Sequence, residues 1–133
     1  RDVAPSRGLG DVYKRQVHDE LATGIATEVH HIFPKSQFPM IASYYENLIL
    51  LTSSQHRQKA HPKGNTQVVD RDYQLTCLMA KSQTIEASLN EGNNFYRKES
   101  FIYVVNTGLD EHIEETISFV DIRKFLVNKY LEF

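Results

Sequence analysis

Glu28–Pro62 reads EVHHIFPKSQFPMIASYYENLILLTSSQHRQKAHP and holds four of the six histidines of a 133-residue chain: His30, His31, His56 and His61. β-branched content rises from Ile25 to Phe33 and Pro34 then stops any ladder, so 25–33 is expected to form a first strand with His30 and His31 near its end. Neighbouring strand residues point to opposite faces, so these two histidines cannot share one job. Residues Lys35–Glu46, broken by Phe38-Pro39 and lacking a clear period, are expected to be a long loop. Asn47-Leu48-Ile49-Leu50-Leu51 is a compact apolar run that suits a buried second strand. Thr52 with Gln55 three residues later is a capping-box pattern, which starts a helix from about Ser53 to Ala60. Pro62 and the turn residues Lys63-Gly64-Asn65 end it. Strand, loop, strand and short helix make a ββα unit over about 25–62. Such a layout can bring three imidazoles to one point and leave a fourth free.

Upstream, Arg1–Gln16 (RDVAPSRGLGDVYKRQ) has two glycines, a proline and no sustained period, which reads as a disordered tail. The string also resembles translated sequencing-adapter sequence. A string of that origin is not native to the protein, which leaves room for an N-terminal domain missing upstream. Val17–Gly24 suggests a short helical turn. Downstream, Val68 and Val69 read as a short extended piece. Asp70 then caps a longer helix with an apolar face of Leu75, Leu78, Ser82, Ile85 and Leu89, ended by Glu91-Gly92-Asn93-Asn94. Phe101–Val105 reads as a strand, paired with Glu114–Phe119 as a hairpin around Gly108. Ser118 caps a terminal helix marked by Phe119, Ile122, Leu126, Tyr130 and Phe133. The expected class is α+β: one domain over 17–133, with the ββα core packed against a mixed extension over 66–133.

Composition sets the outer limits. Hydrophobic residues at 41% and charged residues at 24% are ordinary for a globular domain of this length, which can bury one core. No apolar run approaches the roughly 20 residues of a membrane span. A single cysteine, Cys77, excludes an internal disulfide and a Cys-based zinc knuckle, so a reducing, cytoplasmic setting is the default. Cys77 itself reads as a small core residue. The net charge of −2 argues against a protein that coats a duplex. Yet Lys35, Arg57, Lys59, Lys63 and Arg71 surround the histidine stretch against only Glu46 and Asp70, while Asp110–Glu115 is acidic. A locally basic site on a nearly neutral chain suits an enzyme that touches a few phosphates.

Asn47 lies sixteen residues after His31 and nine before His56. With His30-His31, Asn47 and His56 in this order, the stretch resembles the HNH (His-Me finger) nuclease family. That family's core is a ββα-metal fold with an Asp/His-His pair ending the first strand, an Asn on the second and a His on the helix. HHIFPKS and ENLILLTSSQH are especially close to HNH domains of bacterial and phage restriction or defence proteins. The resemblance covers a quarter to a third of the chain. It implies a metal-dependent endonuclease that hydrolyses DNA phosphodiesters by a one-metal mechanism. In that reading His30 and His56 hold the ion, His31 is the general base, and Asn47 orients the His31 backbone or ring from across the loop. Lys35, Arg57 and Lys59 stand where phosphates would approach.

The residue chemistry supports these roles separately. Neutral imidazoles suit borderline ions such as Zn²⁺, Ni²⁺ or Mn²⁺, and Mg²⁺ once water and phosphate oxygens join. A histidine with its ordinary pKa near neutrality can take a proton from water. His61 is the open member of the metal set. Related colicin-type sites carry a further histidine four residues after the helix histidine, but position 60 is Ala and His61 is five away, rotated off that face. A phosphate contact or a helix C-terminal cap are its other roles. Taken alone, a histidine pair is most often a polar strand end, and Arg57 and Lys59 are as often solvated helix positions. The Asn47 and His56 spacing shifts that balance. His18 and His112 fall outside the constellation. The apolar terminal helix is a candidate homodimer face. A catalytically inactive ββα metal-binding domain that binds DNA or a protein partner is the competing reading, distinguished by the absence of cleavage in any divalent ion.

Overall fold

The computed structural model describes residues 28–56 and 70–132. The anticipated turn at 17–24, strand residues 25–27, the helix beyond His56, and Val68-Val69 lie outside the described residues. Strand β1 (Glu28–His31) pairs antiparallel with β2 (Leu48–Leu51), with Glu28 opposite Leu51 and His31 opposite Leu48. All four residues of β2 are buried, as its unbroken apolar run implies. Helix α1 (Ser53–Gln55) follows at once, then α2 (Arg71–Asn90), α3 (Lys98–Leu109) and α4 (Phe119–Tyr130). The protein is therefore α+β, with a two-stranded antiparallel sheet and four helices among the described residues.

Strand β1 ends at His31 rather than at Phe33. Its partner chain has by then curled into a 3-10 turn, Tyr45–Asn47, so only Ile32 still finds a backbone acceptor there, the Asn47 carbonyl at 2.8 Å. The long loop is also more ordered than its lack of period suggests. It holds a second 3-10 turn, Pro39–Ile41, with Pro at the position where a missing N–H costs nothing.

Local capping residues act where the sequence places them. The Thr52 hydroxyl accepts from Gln55 N at 3.1 Å, and the Gln55 side chain accepts from Thr52 N at 3.0 Å. Asp70 accepts from Tyr73 N, and Ser118 from Asp121 N. On α2 the wholly buried residues are Cys77, Leu78, Lys81, Ser82 and Ile85, so the face is turned slightly from the expected one and Leu75 and Leu89 are half-buried at its margin. The Lys81 ammonium, with no exposure at all, donates to the Tyr96 hydroxyl at 3.1 Å. Helix α4 buries Phe119, Ile122, Leu126 and Tyr130. It is fastened to α2 by the Arg123–Glu86 ion pair at 2.8 Å.

The expected strand at 101–105 and its hairpin to 114–119 are instead a helix followed by turns. FIYVV is rich in β-branched and aromatic residues, and a short apolar run cannot by itself separate a strand from a buried helix. Two features decide for helix. Ser100, Phe101, Val104 and Val105 form one buried stripe of α3 at helical spacing. The helix also receives a cap from far away: the buried Glu46 carboxylate accepts from Arg97 N at 2.8 Å, placing negative charge at the helix N-terminus. At the other end Asp110 takes the left-handed conformation (φ 55°) and Asn106 clamps both backbone groups of Ile113, turning the chain away from any pairing.

Gly108, expected at the hairpin tip, is the residue of α3 against which the Phe33 ring packs. A Cβ there would overlap that ring. Gly108→Ala is expected to lower stability by about 1–3 kcal/mol, because a well-packed ring must leave its rotamer. Urea denaturation measures it; a variant as stable as wild type would show that the ring moves aside freely.

Candidate active site

The β1–β2 hairpin divides the histidines between two sides. Glu28 and His30, two residues apart, share one face of β1, and that face meets the start of α1. His30 is wholly buried, and its ring lies edge-on to His56 with centroids 5.2 Å apart and planes at 65°. His56 is brought there by the capping box of Thr52 and Gln55, which starts α1 immediately after β2. Its Nδ1 lies 2.7 Å from Glu28 Oε1, and the other carboxylate oxygen, Oε2, accepts from the Ser53 hydroxyl at 2.6 Å. A carboxylate can only accept, so the His56 proton sits on Nδ1 and the lone pair of the neutral ring on Nε2.

His31 faces the loop side. Its Nε2 lies 3.1 Å from the Ala42 carbonyl, which again can only accept. The neutral ring therefore donates from Nε2 and carries its lone pair on Nδ1. Burial is the largest influence on this group and holds its pKa below the usual 6.5; the Ala42 hydrogen bond opposes, and the charges of Lys35 and His56 add to the lowering. His31 is thus a neutral base at neutral pH. Lys35 itself is exposed and close enough for its charge to be felt at the ring.

Asn47 spans the loop, as its position suggests, but its side chain reaches Phe33 and Ile41 rather than His31. Oδ1 accepts from Phe33 N at 2.9 Å, and Nδ2 donates to Phe33 O at 3.1 Å and to Ile41 O at 3.4 Å. The residue has no solvent exposure. Its influence on His31 runs through the backbone: it pins the loop at Ile41, and the next residue, Ala42, holds the imidazole. A second line of support enters from the helices. Tyr130, its phenol pKa pushed up by burial, donates to Gln74 Oε1 at 2.6 Å, and Gln74 Nε2 donates to Ile32 O at 2.9 Å. The turn after His31 is therefore held from both α2 and α4.

The structure brings together His30 and His56 on one side of the hairpin and sets His31 on the other. Arg57, Lys59 and His61 lie outside the described residues. Among the described residues no group of three His, Cys, Asp or Glu side chains stands ready for a metal, and none of the helices is long and apolar enough to cross a membrane. The residue missed by sequence reasoning is Glu28. Its signal was its place two residues before His30, on the same strand face. No family model, no curated protein and no solved structure matches the chain.

Proposed function

We propose that this protein is a divalent-metal-dependent endonuclease of the HNH type that hydrolyses DNA phosphodiester bonds, as in bacterial or phage restriction and defence systems, through a ββα-metal core. The observation that carries the reading is the division of adjacent histidines: His30 turned to His56, His31 turned away and held as a neutral base. The His30–His56 pair fits an ion. Two imidazoles bound to one tetrahedral metal at about 2.1 Å would hold their ring centroids roughly 5 Å apart; here they are 5.2 Å apart. The tautomer enforced on His56 also leaves Nε2 as its donor.

His30 and His56 would hold the ion, with Mg²⁺ or Mn²⁺ suited to phosphate chemistry and Zn²⁺ or Ni²⁺ to imidazole donors. When bound, it supplies Lewis-acid stabilisation of charge developing on the phosphate and leaving oxygen. His31 accepts at Nδ1 the proton of the attacking water while Nε2 stays fixed on Ala42 O. Asn47 keeps that carbonyl in place through the loop. Lys35, with Arg57 and Lys59, supplies positive charge where the DNA backbone approaches.

Calorimetric titration with Mn²⁺ and Ni²⁺ tests the metal assignment. Wild-type protein and His31→Ala are expected to take up one ion per chain, whereas His56→Ala is expected to lose at least roughly tenfold in affinity, as losing one of few donors implies. Equal binding by wild type and His56→Ala would remove His56 from the metal set.

A further inference from the structure

We propose that Glu28 is a positioning residue for His56: a carboxylate on the neighbouring strand that fixes the tautomer and direction of the imidazole and so raises the affinity of the site for a divalent ion. The proposal rests on reading His56 as a metal ligand.

The carboxylate is held at both oxygens. Oε1 takes the His56 Nδ1 proton at 2.7 Å and Oε2 the Ser53 hydroxyl at 2.6 Å. Ser53 and His56 are three apart at the start of α1, so both project to the side that meets β1. Glu28 therefore cannot swing away from His56 without giving up Ser53. The arrangement joins first strand to first helix through side chains, and it does so beside His30. A neutral imidazole in water carries its proton mainly on Nε2. Left to itself, His56 would present the wrong nitrogen much of the time, and its ring could turn about χ2. Glu28 removes both freedoms before any ion arrives. Carboxylates that hold the second nitrogen of a metal-binding histidine act in this way, fixing the ring and strengthening it as a donor. The Glu28 side chain is 36% exposed and that of His56 22%, so the contact is partly shielded and the ring edge remains reachable.

Two measurements on the full chain test this. In metal-free protein at pH 8, ¹⁵N NMR of the imidazoles is expected to find the His56 proton on Nδ1, moving to Nε2 in Glu28→Ala. In calorimetric titrations with Zn²⁺, Glu28→Ala is expected to bind roughly 10–100-fold more weakly than wild type. Glu28→Gln, whose amide oxygen can still accept from Nδ1, is expected to recover most of that loss, which a general effect of disturbing the strand would not do. A wild-type proton on Nε2, or Zn²⁺ affinity in Glu28→Ala within twofold of wild type, overturns the proposal. Wild-type protein that takes up no Zn²⁺ overturns both this proposal and the metal-site reading beneath it. Metal uptake by wild type that is unchanged in Glu28→Ala overturns this one alone.

Discussion

Replacing His31 by alanine is expected to slow plasmid cleavage roughly 10²–10⁴-fold, the usual contribution of a positioned general base, while metal uptake stays at the wild-type level. The separation follows from geometry. His31 is on the opposite face of β1 from His30, and its ring is tied to Ala42 O rather than turned toward His56. Removing it takes away the lone pair at Nδ1 without touching the His30–His56 pair. Its pH behaviour carries the same signature. Burial holds the His31 pKa below 6.5, so the ring remains an effective base into mildly acid solution. The acid limb of the cleavage rate is expected to have its midpoint below pH 6.5 and to disappear in the variant. The folded state also resists protonating His31. As the pH falls below 6.5, the unfolded chain takes up the proton first, and stability declines until His31 protonates in the folded protein. Cleavage by His31→Ala at the wild-type rate would sink the base assignment.

The largest effect on stability is expected from Asn47→Ala. Asn47 is fully buried and its amide satisfies Phe33 N, Phe33 O and Ile41 O at once. Truncation takes this partner from Phe33 N and Phe33 O, while Ile41 O keeps Tyr44 N at 3.2 Å. At about 1–3 kcal/mol for each group left unpaired, a loss of about 2 kcal/mol or more is expected. Asn47→Asp is expected to fall nearly as far. It keeps the acceptor for Phe33 N, but it loses both donated bonds and sets a carboxylate against two carbonyl oxygens. Because the loop also carries Ala42, both variants are expected to lose cleavage well below their melting temperature. Chemical denaturation followed by circular dichroism measures the first effect. A change under 1 kcal/mol would show that water replaces the amide at no cost.

Much of this was legible in the residues because the interactions are local. The Thr52–Gln55 box, the Asp70 cap and the Ser118 cap each join a side chain to a backbone group three residues on, and each is formed. The separation of His30 from His31 follows from strand alternation alone. What could not be read depends on partners distant in sequence. Helix α3 was hidden because its N-terminal cap is Glu46, 51 residues before Arg97, while its own residues favour a strand. Gly108 looked like a turn because nothing nearby announces that Phe33 will pack on it. Lys81 reads as a surface residue of α2, and its buried ammonium is met by Tyr96 beyond the helix end. Glu28 is a different case: its partners Ser53 and His56 are 25 and 28 residues away, yet its place two residues before His30 on one strand face was a signal within the sequence. Asn47 spans the loop, but its partners, Phe33 and Ile41, depend on a turn that the sequence pattern does not reveal.

The most direct test of the account is cleavage of supercoiled plasmid by the wild-type chain in Mg²⁺, Mn²⁺, Ni²⁺ and Zn²⁺, each with an EDTA control. Nicked or linear product in at least one ion, abolished by EDTA, is the expected result. Intact plasmid in all four, from protein that still melts higher when metal is added, would contradict it and leave a metal-binding domain that does not cut.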